Sequence, residues 1–164
     1  MRQGEFDALL RAHAGLLSRI AASYEADAAL RDDLLQDIAL ALWQALPRWR
    51  GEAPLKAFVA RIAHNRGATH VIGQMRRSPV GALSEHLVDL KHGPVEYAQL
   101  EQRRRCLQDA VRQLPLGLRQ AVTLALEGFS HAEIAETLGI RMNSVAVRLN
   151  RAKGALAAVL GEGA

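Results

Sequence analysis

Residues 129–153, FSHAEIAETLGIRMNSVAVRLNRAK, decide how the rest of the chain is read. Ser130 and Glu133 have the S-x-x-E spacing of a capping box, in which each side chain satisfies a backbone N–H of a first helical turn. Phe129 and Ile134 stand where a hydrophobic staple closes over that cap. A short helix is expected to follow, with Ile134, Ala135 and Leu138 on one side, and Gly139 stops it where a left-handed residue is easiest to supply. A second helix is expected from about Met142 to Ser144 onward. Its apolar positions Val145, Leu149, Ala152 and Leu156 recur at i, i+4, i+7 and i+11, one stripe of an α-helix. Helix, glycine turn, helix is the layout of a helix-turn-helix.

The opposite face of the second helix carries the candidate chemistry. At roughly 100° per residue, Ser144, Val147, Arg148 and Arg151 lie together away from the apolar stripe. Asn143 starts the helix beside them and Lys153 flanks its end. In a helix-turn-helix the N-terminal residues of the second helix reach base edges in the major groove. Asn, Ser and Arg read such edges, and Arg and Lys neutralise phosphates. The competing reading is an ordinary solvated face. The cap, the glycine and the basic face together favour DNA.

The remaining composition narrows the class. The chain has 164 residues, enough for one domain or two small ones, and a formal charge of +4 that suits an acidic partner. Its one cysteine, Cys106, excludes an intramolecular disulfide and fits a reducing compartment. No apolar run approaches the length of a membrane span, and the opening MRQGEFDALL is polar and amphipathic rather than a signal peptide. A soluble, intracellular protein without membrane insertion is the expectation. His13, His64, His70, His86, His92 and His131 are scattered, with no metal-ligand spacing, and no phosphate-cradling glycine motif occurs. No metal, no cofactor and no enzymatic chemistry are therefore expected.

Nothing reads as a strand; Ala, Leu and Arg dominate at helical spacing, so the expected class is all-α. A first helix is expected from about Gly4 to Tyr24, with Phe6, Leu9, Leu10, Leu16, Leu17 and Ile20 inward. A second carries Leu30, Leu34, Leu35, Ile38, Leu42, Trp43 and Leu46, and Pro47 ends it. Its acidic start, with Asp32, Asp33 and Asp37, complements the helix dipole. The loop at residues 47–58, PRWRGEAPLKAF, presents Trp49, either a cap on the local core or a platform for unpaired bases. A third helix starts at Pro54 and turns Leu55, Phe58, Val59, Ile62 and Ala63 inward. The Pro- and Gly-bearing stretch 76–94 breaks the pattern, and helices resume at Val95. The cluster Arg103, Arg104 and Arg105 reads as a solvated face before a phosphate contact.

Two separated segments now resemble one family. LPLGLRQAVTLALEGFSHAEIAETLGIRMNSVAVRLNRAKGAL, residues 114–156, resembles region 4 of the sigma factors of bacterial RNA polymerase. RDDLLQDIALALWQALPRWRGEAPLKAFVARIAHN, residues 31–65, is similar to region 2 of the same proteins. Two such regions in a short chain resemble the extracytoplasmic-function (ECF, group 4) sigma factors. The resemblance implies two small helical domains joined by a flexible linker: residues 1–77, linker 78–94, and residues 95–164.

It also implies roles, position by position. Asp33, Gln36 and Asp37 fall on the D-x-x-Q-[ED] segment that docks on the clamp helices of the largest polymerase subunit. Trp49, Arg50, Gly51, Glu52 and Ala53, with Lys56, match the segment that captures a base flipped from the −10 element. Arg61, Asn65 and Arg66 lie on the adjoining helix, which contacts the same strand. Asn143, Ser144, Val147, Arg148, Arg151 and Lys153 match the helix that reads the −35 element. The implied partners are core polymerase (clamp helices of the largest subunit and flap of the second), promoter DNA and an anti-sigma factor. The implied location is the bacterial cytoplasm, at the nucleoid. Gly67 and Gly73 are expected to weaken the end of the third helix, Ala146 replaces a frequent Lys, and Arg141 stands where a capping Ser is common. The alternative is a helix-turn-helix regulator that acts without polymerase docking.

Overall fold

The computed structural model describes residues 1–77 and 95–161. Eight α-helices and one 3-10 turn make up its regular structure, with no strand among the described residues. The first half holds α1 (Gln3–Ala12), α2 (Ala14–Tyr24), α3 (Ala28–Ala45), the 3-10 turn Leu46–Arg48 and α4 (Leu55–Arg77). The second half holds α5 (Val95–Gln113), α6 (Leu116–Leu126), α7 (His131–Leu138) and α8 (Met142–Gly161). The expected linker 78–94 lies outside the described residues. None of the helices described is long and apolar enough to cross a membrane.

The expected first helix is two. The chain leaves helical geometry at His13 (φ −109°, ψ 9°), whose Nδ1 lies 3.0 Å from the Leu9 carbonyl at the end of α1. The break lets α1 lay Phe6 against the core while α2 buries Leu16, Leu17, Ile20 and Ala21. Asp27 caps α3, its carboxylate accepting from the Leu30 N–H at 2.9 Å. From α3, Leu34, Ile38 and Leu42 enter the centre of the first half and meet Val59, Ala60 and Ala63 of α4. Each fully buried Leu or Ile there stabilises by about 1.5–3 kcal/mol. Leu30 and Trp43 of α3 stay substantially exposed; Trp43 meets the Phe6 ring edge-on at 5.0 Å.

The α4 helix runs without interruption through Gly67 and Gly73 to Arg77. Gly67 is there because the Tyr24 ring occupies the space a side chain would need: an added Cβ would come within 2.3 Å of that ring. The inward face of α4 is Val59, Ala60, Ala63, His64 and Gly67, one helical stripe, whereas Leu55, Phe58 and Ile62 are only partly covered. His64 is fully buried, with Nδ1 2.6 Å from the Tyr24 hydroxyl and Nε2 without a hydrogen-bond partner. Burial pushes its pKa down from 6.5 to about 3, so the folded chain holds it neutral.

The two halves pack against each other, and one apolar cluster runs through both. It includes Ile20, Leu34, Ile38 and Val59 from the first half and Leu124, Phe129, Ile134 and Val145 from the second. At the junction the Arg119 guanidinium lies 5.8 Å over the Tyr24 ring, and Arg112 donates to the Ala22 carbonyl at 2.9 Å. Burial pushes the Tyr24 hydroxyl pKa well up, with Gln120 and Arg119 working against it.

Two substitutions separate the glycines. Gly67→Ala is expected to lower stability by about 1–3 kcal/mol, since the Tyr24 ring must move. Gly73→Ala, where nothing lies within 4 Å, should instead gain about 0.5–1 kcal/mol in urea unfolding. His64 sets a pH slope. Because its folded pKa lies below the unfolded value, protons favour the unfolded chain. Stability should therefore fall as pH drops from 6.5 towards about 3, by up to about 1.4 kcal/mol per unit. His64→Leu should flatten the part of that slope between pH 6 and 5, read from thermal midpoints across the range.

Candidate functional site

The helix-turn-helix forms as its sequence predicts. Ser130 Oγ accepts from the Glu133 N–H at 3.2 Å, and the Glu133 carboxylate accepts from the Ser130 N–H at 2.6 Å. Those bonds hold the Glu133 carboxyl below the usual carboxylate range. Phe129 and Ile134 are both buried, closing the staple, and Gly139 adopts φ +66° at the end of α7. Val145 and Ala152 of α8 are fully buried against α6 and α7, with Leu149 and Leu156 partly covered. Burial of that stripe turns the other face outward. Asn143, Ser144, Val147, Arg148 and Arg151 line one open recess of about 320 Å3.

Lys153 does not join them. It is exposed, nearly half a turn of helix from Ser144 and Arg148, and outside the recess. Arg148 is only partly exposed, its guanidinium lying beside the backbone of Gly117 on α6; a Cβ on that glycine would stand 3.2 Å from it.

In the first half, Asp33, Gln36 and Asp37 are all exposed on α3. Leu40 continues their row at i+7 from Asp33 and is 56% exposed, an apolar residue on an acidic face that the sequence reading left out. Its i, i+3, i+4, i+7 spacing was the available signal. The loop after the 3-10 turn is braced from within. Trp49 is half-buried, its indole N–H donates to the Ala53 carbonyl at 3.0 Å, and its ring leans on Phe58. Gly51, at φ +78°, makes the turn, leaving Arg50, Gly51 and Glu52 exposed at the tip. The contacts of Trp49 set the ring's position and leave part of it exposed.

Arg61, Asn65 and Arg66 are exposed on α4. Asn65 and Arg66 share a groove of about 590 Å3 between α3 and α4 with Gln44, Arg48, Ile62 and Thr69. Arg61 lies outside it. Sequence reasoning missed Arg48 and Gln44; their shared row four apart near the end of α3 was the clue. Lys56 stands apart from this groove, held by the second half: its ammonium donates to the Glu127 carbonyl at 3.1 Å and sits 5.0 Å over the Phe129 ring. Among the described residues no group of three or more His, Cys, Asp or Glu is placed to hold a metal ion.

The described residues thus combine an exposed acidic helix, a basic groove, and a helix-turn-helix whose polar and basic face is open. Comparison with known proteins gives the family. The Sigma-70 region 2 family matches residues 9–77, and the Sigma-70 region 4 family matches residues 104–156. RNA polymerase sigma factor CnrH of Cupriavidus metallidurans is 30% identical, over 96% of this chain and 87% of its own. The ECF RNA polymerase sigma-E factor of Escherichia coli K12 is 29% identical, over 76% of this chain and 70% of its own. The solved structure of CnrH with the cytosolic domain of CnrY superposes with a TM-score of 0.72 at 25% identity, covering 99% of this chain and 92% of that one. Sigma factor RpoE from Bartonella quintana, solved with the anti-sigma factor NepR, shares the fold with a TM-score of 0.76 at 21% identity, covering 96% of this chain and 97% of that one. The chain belongs to the sigma-70 family of RNA polymerase sigma factors, in its extracytoplasmic-function group.

Ser130→Ala removes one half of the capping box that starts the helix-turn-helix. The expected cost is about 1 kcal/mol, measured as a shift in the urea midpoint without change in its slope.

Proposed function

We propose that this chain binds core RNA polymerase through α3, opens the −10 element with the first half, and reads the −35 element with α8. The observation that carries the reading is the opposed division of α8. Its apolar stripe is buried, and Asn143, Ser144, Val147, Arg148 and Arg151 face outward together in one recess. That geometry suits a helix lying in a major groove with amide, hydroxyl and guanidinium groups towards base edges.

The acidic row Asp33, Gln36, Asp37, with Leu40, forms the polymerase-docking face. Charges steer it to a basic helical partner, and the exposed leucine supplies apolar contact once seated. The groove carrying Arg48, Asn65, Arg66 and Thr69 holds one strand of the −10 element by phosphate and hydrogen-bond contacts. The loop 50–53, with Arg50 at its exposed tip, takes an unstacked base, and Lys56 and Arg61 contact backbone beside it. Trp49, braced on Ala53 and Phe58, offers the exposed part of its ring to that base, and Ala53 closes the loop. Lys153 neutralises a phosphate at the edge of the −35 contact. The chain performs no bond chemistry; unstacking, at a few kcal/mol per base, is offset by the contacts made to the opened strand. It acts in the cytoplasm on nucleoid DNA. An anti-sigma factor is a further partner, as for the solved RpoE.

The decisive experiment is promoter-dependent transcription by purified core enzyme with this protein added. Specific initiation is expected only with both present; DNA binding without any effect on core would favour an independent regulator instead. Asp37→Arg should weaken co-purification with core by about tenfold or more while leaving the circular dichroism spectrum intact. Arg148→Ala should cost about 1–3 kcal/mol of −35 recognition and leave core binding unchanged. Equal loss of both activities in Arg148→Ala would make that residue structural.

A further inference from the structure

We infer that Glu127, at the end of α6, is an internal latch that holds the two halves together and withholds Lys56 from DNA. The inference rests on the reading of Lys56 as a −10 contact. Two basic side chains of the first half converge on this one residue. Arg19 Nε and Nη2 donate to the two carboxylate oxygens of Glu127 at 2.5 and 2.9 Å. Lys56 donates to its main-chain carbonyl at 3.1 Å. That carbonyl closes a helix C-terminus, where the dipole is negative, and the adjacent Phe129 ring lies 5.0 Å under the same ammonium. Glu133 also bears electrostatically on Lys56. The set of acceptors resembles what a phosphate would offer Lys56.

The latched arrangement cannot serve both promoter elements at once. Sites 25 base pairs apart on straight duplex are separated by about 85 Å at 3.4 Å per pair. In the structure the segment that introduces the helix-turn-helix touches the lysine assigned to the −10 element. The halves must part, and Glu127 must release Arg19 and Lys56, before both elements are engaged. The reading face of α8 is not covered by the junction, and Arg50, Arg61, Asn65 and Arg66 stay exposed, so the latch acts on Lys56 alone: that one −10 contact is held back while the rest remain open. The contribution of Lys56 to single-strand affinity then scales with the fraction of molecules that are open.

The sign of one substitution makes this testable. Arg19→Glu places like charges across the junction and makes the chain less basic, so simple electrostatics lowers its affinity for any DNA. The latch predicts the opposite for single strands. Opening is followed by energy transfer between dyes on the exposed Cys106 and on Gln3→Cys in the full chain. Binding is followed by anisotropy of a labelled random-sequence single strand of about 20 nucleotides. Arg19→Glu should lower the transfer and raise single-strand affinity about threefold to tenfold, with no gain for random duplex. The exchange Arg19→Glu with Glu127→Arg should restore both readings, and Lys56→Ala in the Arg19→Glu chain should remove the gain. If thermal unfolding shows Arg19→Glu to be misfolded, Glu127→Gln should give the same changes at smaller size. Unchanged transfer, opening without a gain in single-strand binding, or a gain that survives Lys56→Ala would overturn the latch. Failure of the underlying sigma-factor reading shows elsewhere, as no promoter-dependent transcription from the wild-type chain with core.

Discussion

The ring of Tyr24 sits against α4 so closely that residue 67 has no room for a side chain. Much of the architecture follows from that contact. It brings α2 and α4 together, and it buries His64 as the partner of the Tyr24 hydroxyl. The Arg119 guanidinium of the second half lies 5.8 Å over the same ring. A buried hydroxyl and a buried imidazole each lose water on folding, and each recovers part of that loss from the other. The same tyrosine thus belongs to the core of one half and to the seam with its neighbour.

Around that point the molecule divides its surface by charge and exposure. The face of α3 away from the core carries Asp33, Gln36, Asp37 and Leu40, while the groove between α3 and α4 carries Arg48 and Arg66. Acidic and basic surfaces lie on neighbouring faces of one small bundle because an α-helix presents different residues every 100° or so. In the second half, α8 does the same within a single helix: apolar stripe in, polar and basic face out. Phe129 and Glu127, just before α7, join this helix-turn-helix to the first half by an aromatic surface and an acidic end.

Glu25 shows how local polar groups hold the first half in register. It is buried at the end of α2. Burial works to raise its pKa, yet hydrogen bonds from His70, the Asp27 N–H and Gln74 outweigh that and hold it below the usual value. One carboxylate therefore ties the α2–α3 turn to the far end of α4, where a long helix would otherwise fray.

What the sequence by itself determined is what neighbours within about a helical turn can encode. The capping box at Ser130 and Glu133, the turn at Gly139, the buried stripe of Val145 and Ala152, and hence the outward set on α8 all belong to that class. So does the exposed acidic row on α3. Only the tertiary structure decided the contacts made across long separations. Tyr24 and His64 are 40 residues apart, Lys56 and Glu127 71, and Arg19 and Glu127 108. Without Tyr24 as a neighbour, nothing in the sequence gives the reason for Gly67 or the burial of His64. Periodicity records which face of a helix is apolar, but not which distant side chain fills the space beside it.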